Sequence, residues 1–256
     1  MWNLSGKRIL VIGAARSGLA AAKYLKGKRA AVTLTDAKPR EKLGREVLDL
    51  ATEGIRLVLG AEPEIMPGAY DYAVISPGIP LNIPLAIRTK ETGIPLLGEL
   101  EVAFQGSVAP YIGITGTNGK TTTTALTGQI FQDAGRPVFV GGNIGTPLVS
   151  GIENLTPKHT VVAEVSSFQL ETIDSFRPKV AVLLNITPDH LDRHGDMEGY
   201  TKAKARIFEN QRESDFAVLN MDDPRVHSLA RQTSGKVVFF SMKTVPDRGV
   251  CVREGQ

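Results

Sequence analysis

Residues 111–124 read YIGITGTNGKTTTT. An apolar run (Tyr111, Ile112, Ile114) enters a glycine-rich turn, and Lys120 with four threonines leads out into a helical pattern through Ala125, Leu126, Gln129 and Ile130. This is the pattern of a phosphate-binding loop. Glycines let backbone amides point at a polyphosphate, the helix that follows adds its positive end, and a lysine supplies a mobile charge for the outer phosphates. The phosphate-binding candidates are Gly116, Thr117, Asn118, Gly119, Lys120, Thr121 and Thr122, with the Thr121 hydroxyl available to Mg²⁺. The spacing departs from G-x-x-x-x-G-K-[ST], since position 114 is Ile and the nearby glycines are Gly113 and Gly116. An ordinary glycine-rich turn before a helix is the competing reading.

Working outward, 256 residues suggest one large domain or two ordinary ones. Thirty Lys and Arg are balanced by 27 Asp and Glu, so the charge gives no reason to expect a nucleic-acid or membrane partner. The lone Cys251 excludes an internal disulfide and a cysteine metal cluster. MWNLSGKRIL has no signal-like apolar region, and no run approaches the roughly 20 residues of a membrane span, so a cytoplasmic protein is expected.

Upstream, RILVIG (8–13) is a buried-strand pattern, and AARSGLAAAKYL opens a helix with Ala and Leu on its inner face. The dinucleotide fingerprint G-x-G-x-x-G maps to Gly13, Ala15 and Gly18, so its central glycine is missing. The strand AVTLTD ends in Asp36, at the distance where a carboxylate meets a ribose or base, although a capping carboxylate fits equally. IRLVLG and DYAVISPG follow, the latter ending in Ser76, Pro77 and Gly78. Gly, Ser and Pro near 106–110 mark a domain boundary between about 93 and 110. Downstream, PVFVGGNIG, TVVAEVSSFQLE, KVAVLLNITPDHLDRHG, FAVLN and KVVFFS alternate with helical patterns. The expected class is α/β, with a Rossmann-like parallel-sheet domain (1–95) before a P-loop α/β domain (96–256).

A phosphate loop needs a cation, and Glu164 among Val161, Val162 and Val165 is an expensive charge to bury without one; a strand-end salt bridge is the alternative. His190, among Asp189, Asp192, Arg193 and His194, suits either a surface turn or a ligand. In GYTKAKARIFEN, Tyr200, Ala203, Ile207 and Phe208 face the core, whereas Lys202 and Lys204 read as solvated. No Ser-His-Asp or Cys-His arrangement is legible.

Together GITGTNGKTTT, GGNIGTPL, EVSSFQLE, NITPDHLDRHG and KARIFEN resemble the Mur ligases of peptidoglycan assembly, and EVSSFQLE with SPGIP is most similar to their D-glutamate-adding branch. The family's loop has the GxTGTNGKT form, which accounts for the shifted glycine. The resemblance implies ATP-driven amide synthesis: the alanyl carboxylate of UDP-N-acetylmuramoyl-L-alanine takes the γ-phosphate of ATP, and the amine of D-glutamate displaces phosphate. It implies catalytic roles for Lys120, His190 and Lys204, one Mg²⁺ on Thr121 and Glu164, and a second served by His190 and a carbamylated Lys204. Substrate-side positions are Arg16, Ser17, Asp36, Ser76, Asn143, Ser166 and Gln169. The resemblance also implies an adenine-contacting segment and a third domain, both absent here, so the chain is expected to be a monomeric fragment unable to complete ligation. The ending VCVREGQ carries no helix or cap, and an exposed apolar sheet edge is expected there. Two other classes stay open: a non-catalytic nucleotide or UDP-sugar binding module, and a dinucleotide-dependent oxidoreductase, which Ala15 and the second loop disfavour.

Overall fold

A computed structural model describes residues 2–252. They form two compact units. One runs through Ser107 and includes Pro147–Glu153 and Thr172–Asp174; the other comprises the remaining residues from Val108.

The first unit is built from β1 (Arg8–Ile12), α1 (Arg16–Gly27), β2 (Ala31–Asp36), α2 (Arg45–Asp49), β3 (Arg56–Leu59), β4 (Tyr72–Ile75), α3 (Pro84–Glu91), β5 (Leu96–Gly98) and α4 (Glu99–Gly106). Its five strands are parallel in the order β3-β2-β1-β4-β5, with Val11 paired to both Leu34 and Val74. A strand flanked on both sides must be apolar on both faces, and Leu10, Val11, Ala73 and Val74 are buried accordingly. Ala21, Ala22 and Leu25 bury the inner face of α1. Gly18 permits that packing, because a Cβ there would stand 1.8 Å from the Gly13 carbonyl oxygen. The strand order reverses between β1 and β4, which opens a crevice at their C-terminal ends.

The division between units follows Ser107, within the expected 93–110 range and beyond the 95/96 bounds. Ala73 of β4 pairs with Leu96, so β5 completes the first sheet, and α4 stays with it. Two segments return to this unit because buried carboxylates on α4 hold them. Glu99 Oε1 accepts from Val149 N at 2.8 Å, and Glu101 Oε2 accepts from Asp174 N at 2.9 Å.

The second unit contains β6 (Tyr111–Thr115), α5 (Lys120–Asp133), β7 (Val138–Gly142), β8 (Thr160–Glu164), α6 (Ser167–Leu170), β9 (Val180–Leu183), α7 (Leu191–His194), α8 (Met197–Ala205), β10 (Phe216–Asn220), α9 (Pro224–Ser228), β11 (Lys236–Ser241) and β12 (Gly249–Cys251). Its seven strands are parallel in the order β12-β11-β10-β9-β6-β8-β7. Val161, Val162, Ala181, Leu183, Ala217 and Leu219 form the buried middle, and Tyr111 meets Phe176 edge to face at 5.9 Å. β12 has no counterpart in the sequence reading. It is an edge strand with Val250 68% exposed, so that end of the sheet does present apolar surface. The last four residues of VCVREGQ lie outside the described residues. Among the described residues, no helix is long and apolar enough to cross a membrane.

Candidate functional site

In the first unit a cleft of about 820 Å³ lies at the C-terminal ends of β1, β2, β3 and β4. Arg16, Ser17, Asp36 and Ser76 all line it, together with Ala15, Lys38 and the apolar Ile12, Ile79, Ile83 and Leu85. Asp36 Oδ2 accepts from Ala14 N at 2.8 Å, and its Oδ1 accepts from Lys38 N at 2.9 Å. The carboxylate therefore fixes the turn after β1 from the end of β2. Ser76 Oγ donates to the Gly13 carbonyl at 3.3 Å from the end of β4. Gly13 needs its φ of +101°, and a Cβ there would also meet Ile79 and Ser76 within 3 Å. Ala15 has φ −80° and ψ 179°, extended backbone that any residue adopts, so alanine fits where the fingerprint has glycine. Apolar walls with a few convergent polar groups suit a ligand combining a flat ring with hydroxyls.

In the second unit β6 delivers the phosphate loop to α5. Gly116 (φ +153°) and Gly119 (φ +82°) supply the two left-handed positions of the turn. Lys120 Nζ folds back and donates to the Gly116 carbonyl at 3.0 Å and the Thr117 carbonyl at 2.8 Å. Thr121 and Thr122 are exposed on the first turn of α5. Asn118 is held reciprocally by Asn185: its N–H donates to Asn185 Oδ1 at 2.8 Å and its carbonyl accepts from Asn185 Nδ2 at 3.0 Å. Thr117 Oγ1 accepts from Thr187 N at 3.0 Å and lies 3.3 Å from the Tyr200 hydroxyl. Asn185 and Tyr200 were not singled out as site residues. Asn185 sits at the polar end of the apolar strand KVAVLLN, and Tyr200 lies one helical turn before Lys204.

Lys204 corrects the sequence reading. It is 1% exposed rather than solvated, and its Nζ donates to the Gly116 carbonyl at 2.8 Å, the same oxygen that Lys120 engages. Its ammonium also lies 4.7 Å from the Tyr200 ring centroid. Burial, then the nearby Lys120 charge, bring its pKa down to about 7, while Asp189 works the other way.

Glu164, 2% exposed, ends β8 beside β6, in register with Ile114. Its Oε1 accepts from Asn143 Nδ2 at 3.0 Å, and among the described residues no basic side chain forms the alternative strand-end salt bridge with it. Its carbonyl accepts from Asn143 N at 2.9 Å. Ser166 and Gln169 close a reciprocal capping box at the start of α6. His190 begins α7 with φ +50°, its side chain 49% exposed, facing Asp189 at 3.5 Å and the Phe168 ring at 4.8 Å. The structure also aligns three residues that the sequence did not: Ser167 Oγ is 3.0 Å from His194 Nε2, and His194 Nδ1 is 3.5 Å from Glu171 Oε1. Ser167 is 3% exposed.

Oxygen donors suited to a hard cation are present at the loop: the buried Glu164 carboxylate, the Thr121 hydroxyl, and Thr115 Oγ1, buried without a hydrogen-bond partner. Among the described residues no three His, Cys, Asp or Glu side chains converge as a cation site. An ammonium at Lys204 is no ligand for a cation, and it fits one only after conversion to an oxygen-bearing anion.

The model of the Mur ligase middle domain matches residues 114–249, and that of the MurD-like Mur ligase N-terminal domain matches residues 7–98. The chain belongs to the Mur ligase family. This Mur ligase chain is 50% identical over 253 residues to the UDP-N-acetylmuramoylalanine--D-glutamate ligase of Pelotomaculum thermopropionicum, covering 99% of the chain and 56% of that protein. It is 47% identical to the enzyme of the same name from Clostridioides difficile, covering 97% and 55%. The chain thus spans about half the length of the curated relatives it matches. Its fold is shared with the UDP-N-acetylmuramate:L-alanyl-gamma-D-glutamyl-meso-diaminopimelate ligase of Neisseria meningitides (TM-score 0.60, 18% identity, 95% and 82% covered). It is shared as well with the Thermotoga maritima MurF ligase solved in complex with ADP (TM-score 0.53, 19% identity, 95% and 52% covered).

Proposed function

We propose that this chain carries the UDP-sugar-binding and ATP-binding parts of an ATP-dependent ligase that joins D-glutamate to UDP-N-acetylmuramoyl-L-alanine in peptidoglycan precursor synthesis. The carrying observation is the presence, in one chain, of a Rossmann-type cleft lined by Asp36 and Ser76 and a separate loop with two lysine amines on the Gly116 carbonyl. The substrates are taken from the relatives at 47–50% identity, which are UDP-N-acetylmuramoylalanine--D-glutamate ligases.

In this reading the cleft takes the UDP group, with Asp36 on hydroxyls or the base, Ser76 and Ser17 nearby, and Arg16 close to the diphosphate. The loop amides from Gly116 to Thr122 cradle the ATP phosphates, and Lys120 leaves its carbonyl partners to neutralise the γ-phosphate. An oxygen of the alanyl carboxylate attacks the γ-phosphorus, the bond to ADP breaks, and an acyl phosphate forms. The amine of D-glutamate then adds to the carbonyl carbon, loses a proton, and phosphate departs. Positioning and charge neutralisation carry both steps.

Mg²⁺ would be held at Thr121 and Glu164, and a second ion at His190 and Lys204; bound there, it would neutralise charge developing on the phosphates. Asn143 orients the Glu164 carboxylate. Lys204 suits carbamylation because that reaction needs a neutral amine: the nitrogen adds to CO₂ and loses a proton, and a pKa near 7 leaves much of the amine neutral at pH 7. Asn143, Ser166 and Gln169 are assigned to the substrate side. Such an enzyme works where ATP and nucleotide sugars are made, in the cytoplasm.

Titration with MgATP tests the reading: saturable binding to the wild-type chain, lost in Lys120→Met, is expected. Equal affinity in both would overturn the assignment of the loop.

A further inference from the structure

The His190 turn is held in place by contacts that no reactive role requires. α6 and α7 are single helical turns, too short to persist without tertiary support. The capping box fixes the start of α6, whereas α7 begins at His190 itself, in left-handed backbone with no side-chain cap. A non-glycine residue keeps that conformation only where its surroundings impose it.

Those surroundings converge on one carboxylate. Glu171 follows directly after α6, and its side chain is 17% exposed. Its Oε2 accepts from Arg193 Nη2, and its Oε1 faces His194 Nδ1 at 3.5 Å. The Arg193 guanidinium lies 4.8 Å from the Phe168 ring centroid, and that ring in turn packs on His190 at 4.8 Å and His194 at 5.5 Å. His194 Nε2 closes the bracket on Ser167 Oγ. Glu171 therefore grips α7 at two residues and presses Arg193 onto the aromatic ring that backs the imidazole of His190.

We propose that Glu171 is a positioning residue for His190, acting through Arg193, His194 and Phe168. The proposal rests on the ligase reading above, which gives His190 its place at the reacting phosphates. The side-chain partners of Glu171 lie on α7, and through them it sets where the imidazole stands. A charged, partly buried carboxylate with two cationic or polar partners couples strongly to both, so removing it releases both.

The test uses the whole chain as wild type, Glu171→Gln, Glu171→Ala, and the exchange Glu171→Arg with Arg193→Glu. Three readouts are taken: the melting curve, the nuclear Overhauser contact between the Phe168 ring and the His190 imidazole without ligand, and the affinity for MgATP. The proposal expects Glu171→Ala and Glu171→Gln to keep a cooperative melt but lose the Phe168–His190 contact. It expects about tenfold weaker MgATP binding in both variants, and at least partial recovery of both readouts in the exchange. An intact contact in a folded Glu171→Gln or Glu171→Ala chain would overturn it, as would an exchange that restores nothing while folding normally. Should Glu171→Ala fail to fold, the isosteric Glu171→Gln decides. Should the wild type not bind MgATP, the nucleotide reading fails while the contact still decides the role of Glu171.

Discussion

Glu99 offers a quantitative check on the packing of the first unit. It is 3% exposed on α4, and burial pushes its pKa from the ordinary 4.5 up to about 7, against hydrogen bonds from Val149 N and Leu148 N that favour the anion. Because the folded-state value is raised, the native chain binds a proton more tightly than the unfolded one. The stability this provides is full below pH 4.5 and is lost as pH rises toward 7. For these two values the loss between pH 5 and pH 8.5 integrates to about 2.5 kcal/mol. The isosteric Glu99→Gln removes this titration and leaves the others in place. The stability difference between Glu99→Gln and wild type should therefore move by about 2.5 kcal/mol in favour of the variant across that range. Urea unfolding followed by the fluorescence of Trp2 isolates this unit, since Trp2 is the only tryptophan and packs edge-on against Tyr72 at 4.9 Å. A difference that stays constant from pH 5 to 8.5 would refute the reasoning, for it would mean that Glu99 titrates alike in the folded and unfolded states.

Gly18→Ala should destabilise the first unit by about 3 kcal/mol or more, read by the same Trp2 signal, because its Cβ would stand 1.8 Å from the Gly13 carbonyl oxygen. Asn185→Ala leaves both backbone groups of Asn118 without their partner, and MgATP binding by calorimetry should weaken by roughly ten- to a hundredfold. In solution enriched with ¹³C-bicarbonate, a carbamate carbon signal should appear in the wild type and be absent from Lys204→Arg; its absence from both would count against carbamylation.

The α/β class and the two parallel sheets were legible because strands flanked on both sides are continuous apolar runs, as in RILVI and VAVL, set between glycine-rich turns. The boundary was legible as a range, since the Gly, Ser and Pro near 106–110 bracket the division after Ser107, but not to the residue, because IPLLGELEVAF reads as apolar with punctuation whether β5 joins the first sheet or starts a second domain; only pairing with β4 decides. Asp36 and Ser76 were legible as strand-end polar residues and Arg16 and Ser17 only through the family resemblance, and all four line the cleft. Lys204 was invisible to composition. Two lysines two positions apart on one helix look alike in sequence, and only the rotation of α8 buries Lys204 against the loop while leaving Lys202 exposed. The Glu171 bracket was hidden for a related reason, since its partners lie 22 and 23 residues away, across β9.

The central claim is that the first cleft accepts a UDP-sugar and the second unit a nucleoside triphosphate. Calorimetric titration of the 256-residue chain with UDP-N-acetylmuramoyl-L-alanine, with NAD⁺ as comparator, tests the first half most directly. The account predicts saturable binding of the UDP-sugar at one site, weakened in Asp36→Ala, and no heat from NAD⁺. Binding of NAD⁺ without a response to the UDP-sugar would contradict it.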